Sequence, residues 1–203
     1  MFDYENKYLN LGKTLIAGVD EAGRGPLAGP VCCACVIMPL GESDIIPGIN
    51  DSKKLTEKKR EILFDLIIEK ALAYKIILVD NTTIDEVNIL QATKLGMARA
   101  INELSITPDV VLVDAVKDLD TVIPCEPIIH GDAVSYNIAA ASILAKVTRD
   151  RLMLEYDKTY PEYNFAKHKG YGTKLHIEAL KKFGKCKIHR DTFIKNFVEV
   201  KDA

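Results

Sequence analysis

The 203-residue sequence predicts an α/β protein with a central mixed sheet flanked by helices. Three observations carry this. Short apolar runs, rich in β-branched residues, recur along the chain and end at Gly, Pro, Asp or Asn. Stretches with helical apolar spacing separate them. The first two apolar runs are joined by a short Gly/Pro-rich turn, which reads as a hairpin and makes the sheet mixed rather than all parallel.

In chain order, Leu15–Val19 reads as a buried strand that ends at Asp20, and Val31–Met38 as its hairpin partner across the turn Gly23–Pro30. Pro39–Asn50 is loop. Thr56 is the expected N-cap of a helix running to about Ala71, with Leu55, Ile62, Leu63, Leu66 and Ile67 at helical spacing. Tyr74–Val79 is the next strand. Thr83 and Glu86 have capping-box spacing and open a single helix to about Leu104. Val110–Val113 is a strand ending at Asp114, and Glu126–Ile129 one ending at His130-Gly131-Asp132. A long helix is expected from about Ser135 to Tyr156, with a small-residue stretch, Ala139-Ala140-Ala141-Ser142. A glycine-punctuated basic segment follows Pro161, then a helix from about Lys174 to Phe183 and an irregular tail.

Hydrophobic residues make up 48% and charged residues 28%, a globular composition. No apolar run reaches the ~18 residues that span a bilayer. Met1–Asn10 is polar and acidic, unlike a secretion signal, so the expected compartment is the cytoplasm and no membrane partner is expected. Of the five cysteines, Cys32, Cys33 and Cys35 lie in one strand, with Cys33 and Cys35 on one face and Cys32 on the other; Cys125 and Cys186 are isolated. They read as inert thiols, since zinc ligands would come in pairs at turn spacing. The net charge of −2 hides an asymmetry. Residues 146–190 hold twelve Lys/Arg and five Asp/Glu, a net of +7, against −9 for the remainder. This reads as a polyanion-binding surface beside an acidic site, or as a solvated helical face.

Carboxylates cluster by position. Strands deliver Asp20-Glu21, Asp114 and Asp132 to their C-terminal ends, the edge at which open α/β sheets bind ligands. Several converging carboxylates need a counter-charge, and hard divalent cations supply one through oxygen ligands. Each acid alone equally reads as a turn former. Gly23-Arg24-Gly25-Pro26-Leu27-Ala28 fits a loose dinucleotide fingerprint, but Pro26 removes a donor and a strand, not a helix, follows. Close backbone approach to a ligand, with Arg24 on a phosphate, is the better reading; a tight turn is the plain one. No G-x-S-x-G elbow is present, and Ser142 lies inside a helix. Of the histidines, His130 lies near Asp132, His168 sits in the basic glycine loop where it can contact phosphate, and His176 and His189 read as structural.

Several segments together resemble ribonuclease HII, the bacterial-type branch of the type 2 ribonuclease H family. They are Asp20-Glu21-Ala22-Gly23-Arg24-Gly25-Pro26-Leu27-Ala28-Gly29-Pro30, Asp51-Ser52-Lys53-Lys54-Leu55 and Asn88-Ile89-Leu90-Gln91-Ala92-Thr93. Asp114 after an apolar strand, Gly131-Asp132, the segment from Ala141 to Asp150, Lys167 to Thr173 and His189-Arg190 continue the match in order. The resemblance covers about residues 14–193. It implies a ribonuclease-H-like fold with a C-terminal helical extension: a catalytic domain over residues 1–160 and a basic extension over 161–203 that completes the substrate surface. It implies endonucleolytic cleavage of the RNA strand of RNA–DNA hybrids and of DNA duplexes with embedded ribonucleotides, leaving 5′-phosphate and 3′-hydroxyl ends. Asp20, Glu21, Asp114 and Asp132 match the family's catalytic metal ligands for Mn2+ or Mg2+. Gly23, Arg24 and Gly25 match the element whose backbone reads the ribonucleotide 2′-hydroxyl. Tyr171 matches the tyrosine that packs on the adjoining deoxyribose. Ser52, Lys53, Ser142 and Lys146 fall in segments expected to contact the nucleic-acid backbone. A monomer is expected. Ile194–Ala203 matches no pattern of the family, so a partner-binding tail is not supported. A DNA-structure nuclease of the same superfamily lacks a use for the sugar-reading residues, and a non-catalytic hybrid-binding module lacks a use for four intact carboxylates.

Overall fold

β1 (Ile16–Ala22) is the middle strand of the sheet in the computed structural model, which describes residues 1–198. It pairs antiparallel with β2 (Val31–Ile37), and β2 pairs antiparallel with β3 (Ala73–Val79). On its other side β1 pairs parallel with β4 (Val110–Asp114), and β4 with β5 (Cys125–Ile128). The order β3-β2-β1-β4-β5 is the mixed sheet that the opening hairpin predicts. β1 runs further than its apolar residues suggest, because Asp20, Glu21 and Ala22 still pair with Ala34, Cys33 and Cys32. The two acids therefore lie within the strand and point to opposite faces.

One face packs on α3 (Asn81–Val87) and α4 (Ile89–Asn102) through Cys33, Cys35, Ile84, Met97 and Ile101. The other packs on α2 (Glu57–Lys70) and the long α6 (Tyr136–Thr159) through Cys32, Leu63, Ile67 and Leu144. The cysteines thus divide as alternation predicts, and all five are unpaired. Thr56 caps α2 as expected, its hydroxyl accepting from the Lys59 amide. The single helix expected from Thr83 is two helices. Asp80, not Thr83, is the cap of α3, accepting from the Thr83 amide at 2.8 Å. Asn88 then takes a left-handed φ of 69° and its side chain caps α4.

α6 lies against β1, and Gly18 permits the approach: a Cβ there would stand 2.2 Å from the Asn137 carbonyl carbon. Residues 136–145 of α6 are all buried, so this half of the helix has no polar stripe and its small residues let the sheet come close. Ahead of it, α5 (Gly131–Val134) is one turn, and Ser135 caps α6 by accepting from the Ile138 amide. α1 (Asp3–Leu9) has no apolar periodicity to announce it. Tertiary contacts hold it: the buried Glu5 carboxylate accepts from the Ser135 hydroxyl at 2.6 Å and the Asn137 amide at 3.0 Å, and Phe2 stacks on Tyr136.

The C-terminal third builds its own core, with α7 (Phe165–His168), α8 (Lys174–Phe183) and α9 (Asp191–Ile194). Tyr163, Phe165, Leu180, Ile188 and Ile194 cluster there with Met153 of α6 and with Leu27 and Ala28 of the β1–β2 loop. That loop is stitched in on both sides: the Leu27 amide donates to Gly170 O, the Gly29 amide to Ile188 O, and the Arg190 amide to Leu27 O. His168, His176 and His189 line this core. Both ring nitrogens of His168 are engaged, with Tyr163 O and the Gly170 amide, so it is a packing group and faces no phosphate. His176 and His189 meet Nε2 to Nε2 at 3.0 Å. The last residues of the tail, 199–203, lie outside the described residues.

Two predictions follow from this packing. Gly18→Ala sets a methyl group against helix backbone and should destabilise the protein by about 3 kcal/mol, read from urea unfolding. Burial, with each ring's neighbouring imidazole adding, pushes His176 and His189 down to about 4. The unfolded chain then binds more protons than the folded one below the ordinary histidine value of about 6.5. The histidine contribution to stability should be full above about pH 6.5 and fall toward pH 4, by on the order of 3 kcal/mol or more. In an NMR titration of the folded protein both imidazoles should stay neutral well below about pH 6; titration of either near about 6.5 would refute this.

Candidate active site

β1, β4 and β5 run side by side in the same direction, so their C-terminal ends share one edge of the sheet. Asp20 and Glu21 lie near the end of β1, Asp114 is the last residue of β4, and Asp132 lies in the turn of helix after β5. Asp20 is buried on the α6 face, and its Oδ1 accepts from the Glu21 amide. Glu21 faces the other way; its Oε1 is 3.4 Å from Arg24 Nη1, while Oε2 is buried with no hydrogen-bond partner. Asp114 Oδ1 accepts from the Gly131 amide at 2.7 Å. Asp132 Oδ2 is 3.6 Å from Lys53 Nζ.

The charges strain against each other. Burial raises the Asp20 pKa well above the carboxylate range, and Glu21 and Asp114 push it the same way. Burial also raises Glu21, against the pull of Arg24. Asp132 is raised by burial and then by Asp51 and Asp114. Lys53, although burial opposes it, is raised by the surrounding acids, first among them Asp132. Three carboxyls that resist ionisation, with a buried orphan oxygen among them, form a site short of positive charge. The donors are all hard oxygens, the set that divalent magnesium or manganese takes. The oxygens are not drawn into a ready shell: among the described residues no three His, Cys, Asp or Glu side chains are gathered closely enough to hold an ion as they stand. The fit lies in donor chemistry and missing charge, and the side chains would close further onto a cation.

Beside the acids opens a cleft of about 310 Å³. Asp20 and Glu21 line it, together with all eight of the substrate-contact candidates from the sequence, Gly23, Arg24, Gly25, Ser52, Lys53, Ser142, Lys146 and Tyr171. Tyr171 is half-exposed across from Gly25, where a Cβ would stand 3.7 Å from the ring. The hydroxyls of Ser52 and Ser142 meet at 2.8 Å, and Lys146 is paired with Asp150 at 2.8 Å. A larger hollow, about 610 Å³, lies away from the acids between α3 and the tail. Asp85, Glu86 and Asp191 line it, but Asp191 pairs with Lys185 at 2.6 Å and Asp85 accepts from the Asp191 and Thr192 amides.

Three residues of the site region escape a reading of the sequence. Asp51 shares the acidic edge with Asp132, and only its place beside Ser52-Lys53 hints at this. Arg149 and Arg190 belong to the basic third and look like surface cations, yet both are buried beneath the glycine loop. Arg149 donates to Ala28 O, Pro30 O and Lys169 O, and Arg190 to Gly23 O, Arg24 O and Gly29 O. Burial, with Arg149 close by, pushes Arg190 down to about 9, still cationic at neutral pH.

Comparison with known proteins gives the family and the fold. The family model described as ribonuclease HII matches residues 17–196. The ribonuclease HII of Ruminiclostridium cellulolyticum is 59% identical over 200 residues, covering 98% of this chain and 77% of that protein. Among solved structures, ribonuclease H2 from Pyrococcus horikoshii OT3 is similar with a TM-score of 0.74 at 32% identity, over 87% of this chain and 92% of that one. Bst-RNase HIII, solved in complex with Mn2+, has a TM-score of 0.68 at 17% identity, over 92% of this chain and 66% of that one, and shows the shared ribonuclease-H-like fold alone. With a family match over most of its length and the fold of that family, the chain belongs to ribonuclease HII.

Proposed function

We propose that this cleft hydrolyses the RNA strand of RNA–DNA hybrids and cuts on the 5′ side of single ribonucleotides embedded in DNA, leaving 5′-phosphate and 3′-hydroxyl ends. The family makes the chain an endoribonuclease of the ribonuclease H class acting on nucleic acid. The finer reading rests on one observation: a bare Gly25 peptide and the Tyr171 ring face each other beside the acidic edge, in one cleft. Backbone at Gly23–Gly25 can approach a sugar closely enough to hydrogen-bond a 2′-hydroxyl. Tyr171 offers its face to the neighbouring deoxyribose, where a 2′-hydroxyl would crowd the ring.

Asp20, Glu21, Asp114 and Asp132 would hold divalent cations, Mg2+ or Mn2+, which lower the pKa of water and neutralise charge on a scissile phosphate when bound. The protein's own share is placement. Asp114 is aimed by the Gly131 amide, Asp20 is fixed under α6, and Lys53 approaches Asp132 from the rim. Arg24, Lys53 and Lys146 at the cleft give the substrate backbone cationic partners, along with Ser52 and Ser142 hydroxyls. On this reading residues 1–160 carry the catalysis and 161–203 complete the substrate surface. No described helix is long and apolar enough to cross a membrane. The five unpaired thiols suit a reducing compartment, so we place the reaction in the cytoplasm, carried out by a monomer.

The test uses end-labelled DNA duplexes with and without one embedded ribonucleotide, in magnesium, manganese or EDTA. The ribonucleotide duplex should be cut on the 5′ side of the ribonucleotide, and the all-DNA duplex and the EDTA samples should stay intact; cutting of all-DNA duplex would sink sugar recognition. Asp114→Asn keeps an oxygen for the Gly131 amide, so it should fold and bind hybrid yet lose cleavage by on the order of 10³-fold or more. Full activity would remove Asp114 from the ligand set. Tyr171→Ala should slow cleavage at isolated ribonucleotides by on the order of tenfold while sparing long hybrids; equal losses on both would argue against junction reading.

A further inference from the structure

Arg149 and Arg190 are the two largest fully buried side chains, and their acceptors among the described residues are all backbone carbonyls. Burying a guanidinium is costly, and apolar side chains of like volume would fill the same space more cheaply. What a guanidinium adds is direction, with rigid donors aimed several ways at once. Arg190 uses all three of its nitrogens on the segment that lines the cleft: Nε to Gly29 O at 2.9 Å, Nη1 to Arg24 O at 2.8 Å and Nη2 to Gly23 O at 2.6 Å. The Phe193 ring lies 5.1 Å from its guanidinium carbon and closes the far side.

A planar trans peptide points its C=O and N–H in opposite directions. The Gly23 carbonyl shares a peptide with the Arg24 amide, and the Arg24 carbonyl with the Gly25 amide. With both carbonyls turned down onto Arg190, both amides turn up into the cleft. Neither amide has an acceptor among the described residues, whereas Leu27 and Gly29 in the same loop donate to Gly170 O and Ile188 O. Arg149 ties the opposite wall to the same loop, since Lys169 O, two residues before Tyr171, shares its guanidinium with Ala28 O and Pro30 O.

We propose that Arg190, a residue of the C-terminal segment, is a positioning residue for sugar recognition: it holds the Gly23 and Arg24 carbonyls so that the Arg24 and Gly25 amides meet the ribonucleotide 2′-hydroxyl already oriented. This rests on the reading of the cleft as a ribonucleotide site. It makes the tail a part of the substrate-reading device, although Arg190 never touches substrate.

Arg190→Lys keeps the charge but cannot satisfy three carbonyls in three directions. Steady-state cleavage of the single-ribonucleotide duplex should show kcat reduced on the order of 100-fold with KM within a few-fold of wild type, because the duplex still binds but its sugar is held out of line. A purely structural role would lower the folded fraction and leave kcat per binding-competent molecule unchanged, and that result would overturn the proposal. Should the variant fail to fold, amide hydrogen exchange on the wild-type protein decides. In the free protein the Arg24 and Gly25 amides should exchange quickly while Leu27 and Gly29 are protected. In EDTA, a ribonucleotide-containing duplex should protect Arg24 and Gly25 and an all-DNA duplex should not. Protection in the free protein, or equal protection by both duplexes, overturns the proposal. Wild-type cleavage is measured alongside: an enzyme that cuts both duplexes alike refutes the ribonucleotide site itself, while one that discriminates beside a fully active Arg190→Lys refutes only the clamp.

Discussion

Everything in this molecule is arranged around the repulsion between carboxylates crowded on one sheet edge. Asp20, Glu21, Asp114 and Asp132 arrive from three adjacent parallel strands, and left to themselves such groups would spread or protonate. They stay because the strands cannot move apart. Strand pairing fixes the backbone of Asp20 and Glu21, the Gly131 amide fixes Asp114, and α6 presses on β1 at Gly18 two residues before Asp20. Rigid packing of this kind transmits strain instead of relaxing it, so the site keeps an unmet demand for positive charge.

The protein's own cations do not meet that demand. Arg24 stands 3.4 Å from Glu21 and Lys53 3.6 Å from Asp132, loose approaches by exposed side chains. The firmly held cations, Arg149 and Arg190, have spent their donors on carbonyls beneath the loop. Had those guanidiniums been paired with the acids, the carboxylates would sit at low pKa in closed salt bridges, with little affinity left for an external cation. Separation of the fixed positive charge from the fixed negative charge keeps the acidic edge open and the glycine loop rigid at the same time.

Most of this was legible in the residues, and the failures have physical causes. Apolar runs located β1 to β4, the short segment Glu126–Ile129 marked β5, and the hairpin made the sheet mixed. Apolarity could not show that β1 continues through Asp20–Ala22, because that continuation depends on partners in β2. Asn88 splits what looked like one helix, since a left-handed residue leaves the apolar spacing on either side almost intact. α1 depends on Glu5 and Phe2 reaching α6 and its cap, contacts that periodicity does not report. The family motifs placed all eight substrate-contact candidates on one cleft. They could not separate the cations that face solvent from Arg149 and Arg190, because burial of a charge is decided by what folds over it.

The C-terminal segment is therefore more than added basic surface. The β1–β2 loop has too many glycines and prolines to hold its own shape, and it is braced between Gly170 on one side and Ile188–Arg190 on the other. The same segment carries Tyr171 and the neutral, buried histidines that knit its core. If those imidazoles must charge, the core that seats Arg190 loosens, and the loop that Arg190 holds loses its orientation before the central sheet, whose core lies elsewhere, has lost anything. On the proposed reading, sugar selection and hydrolysis thus rest on separately stabilised parts of one chain: the acids on the sheet, the reading loop on the tail.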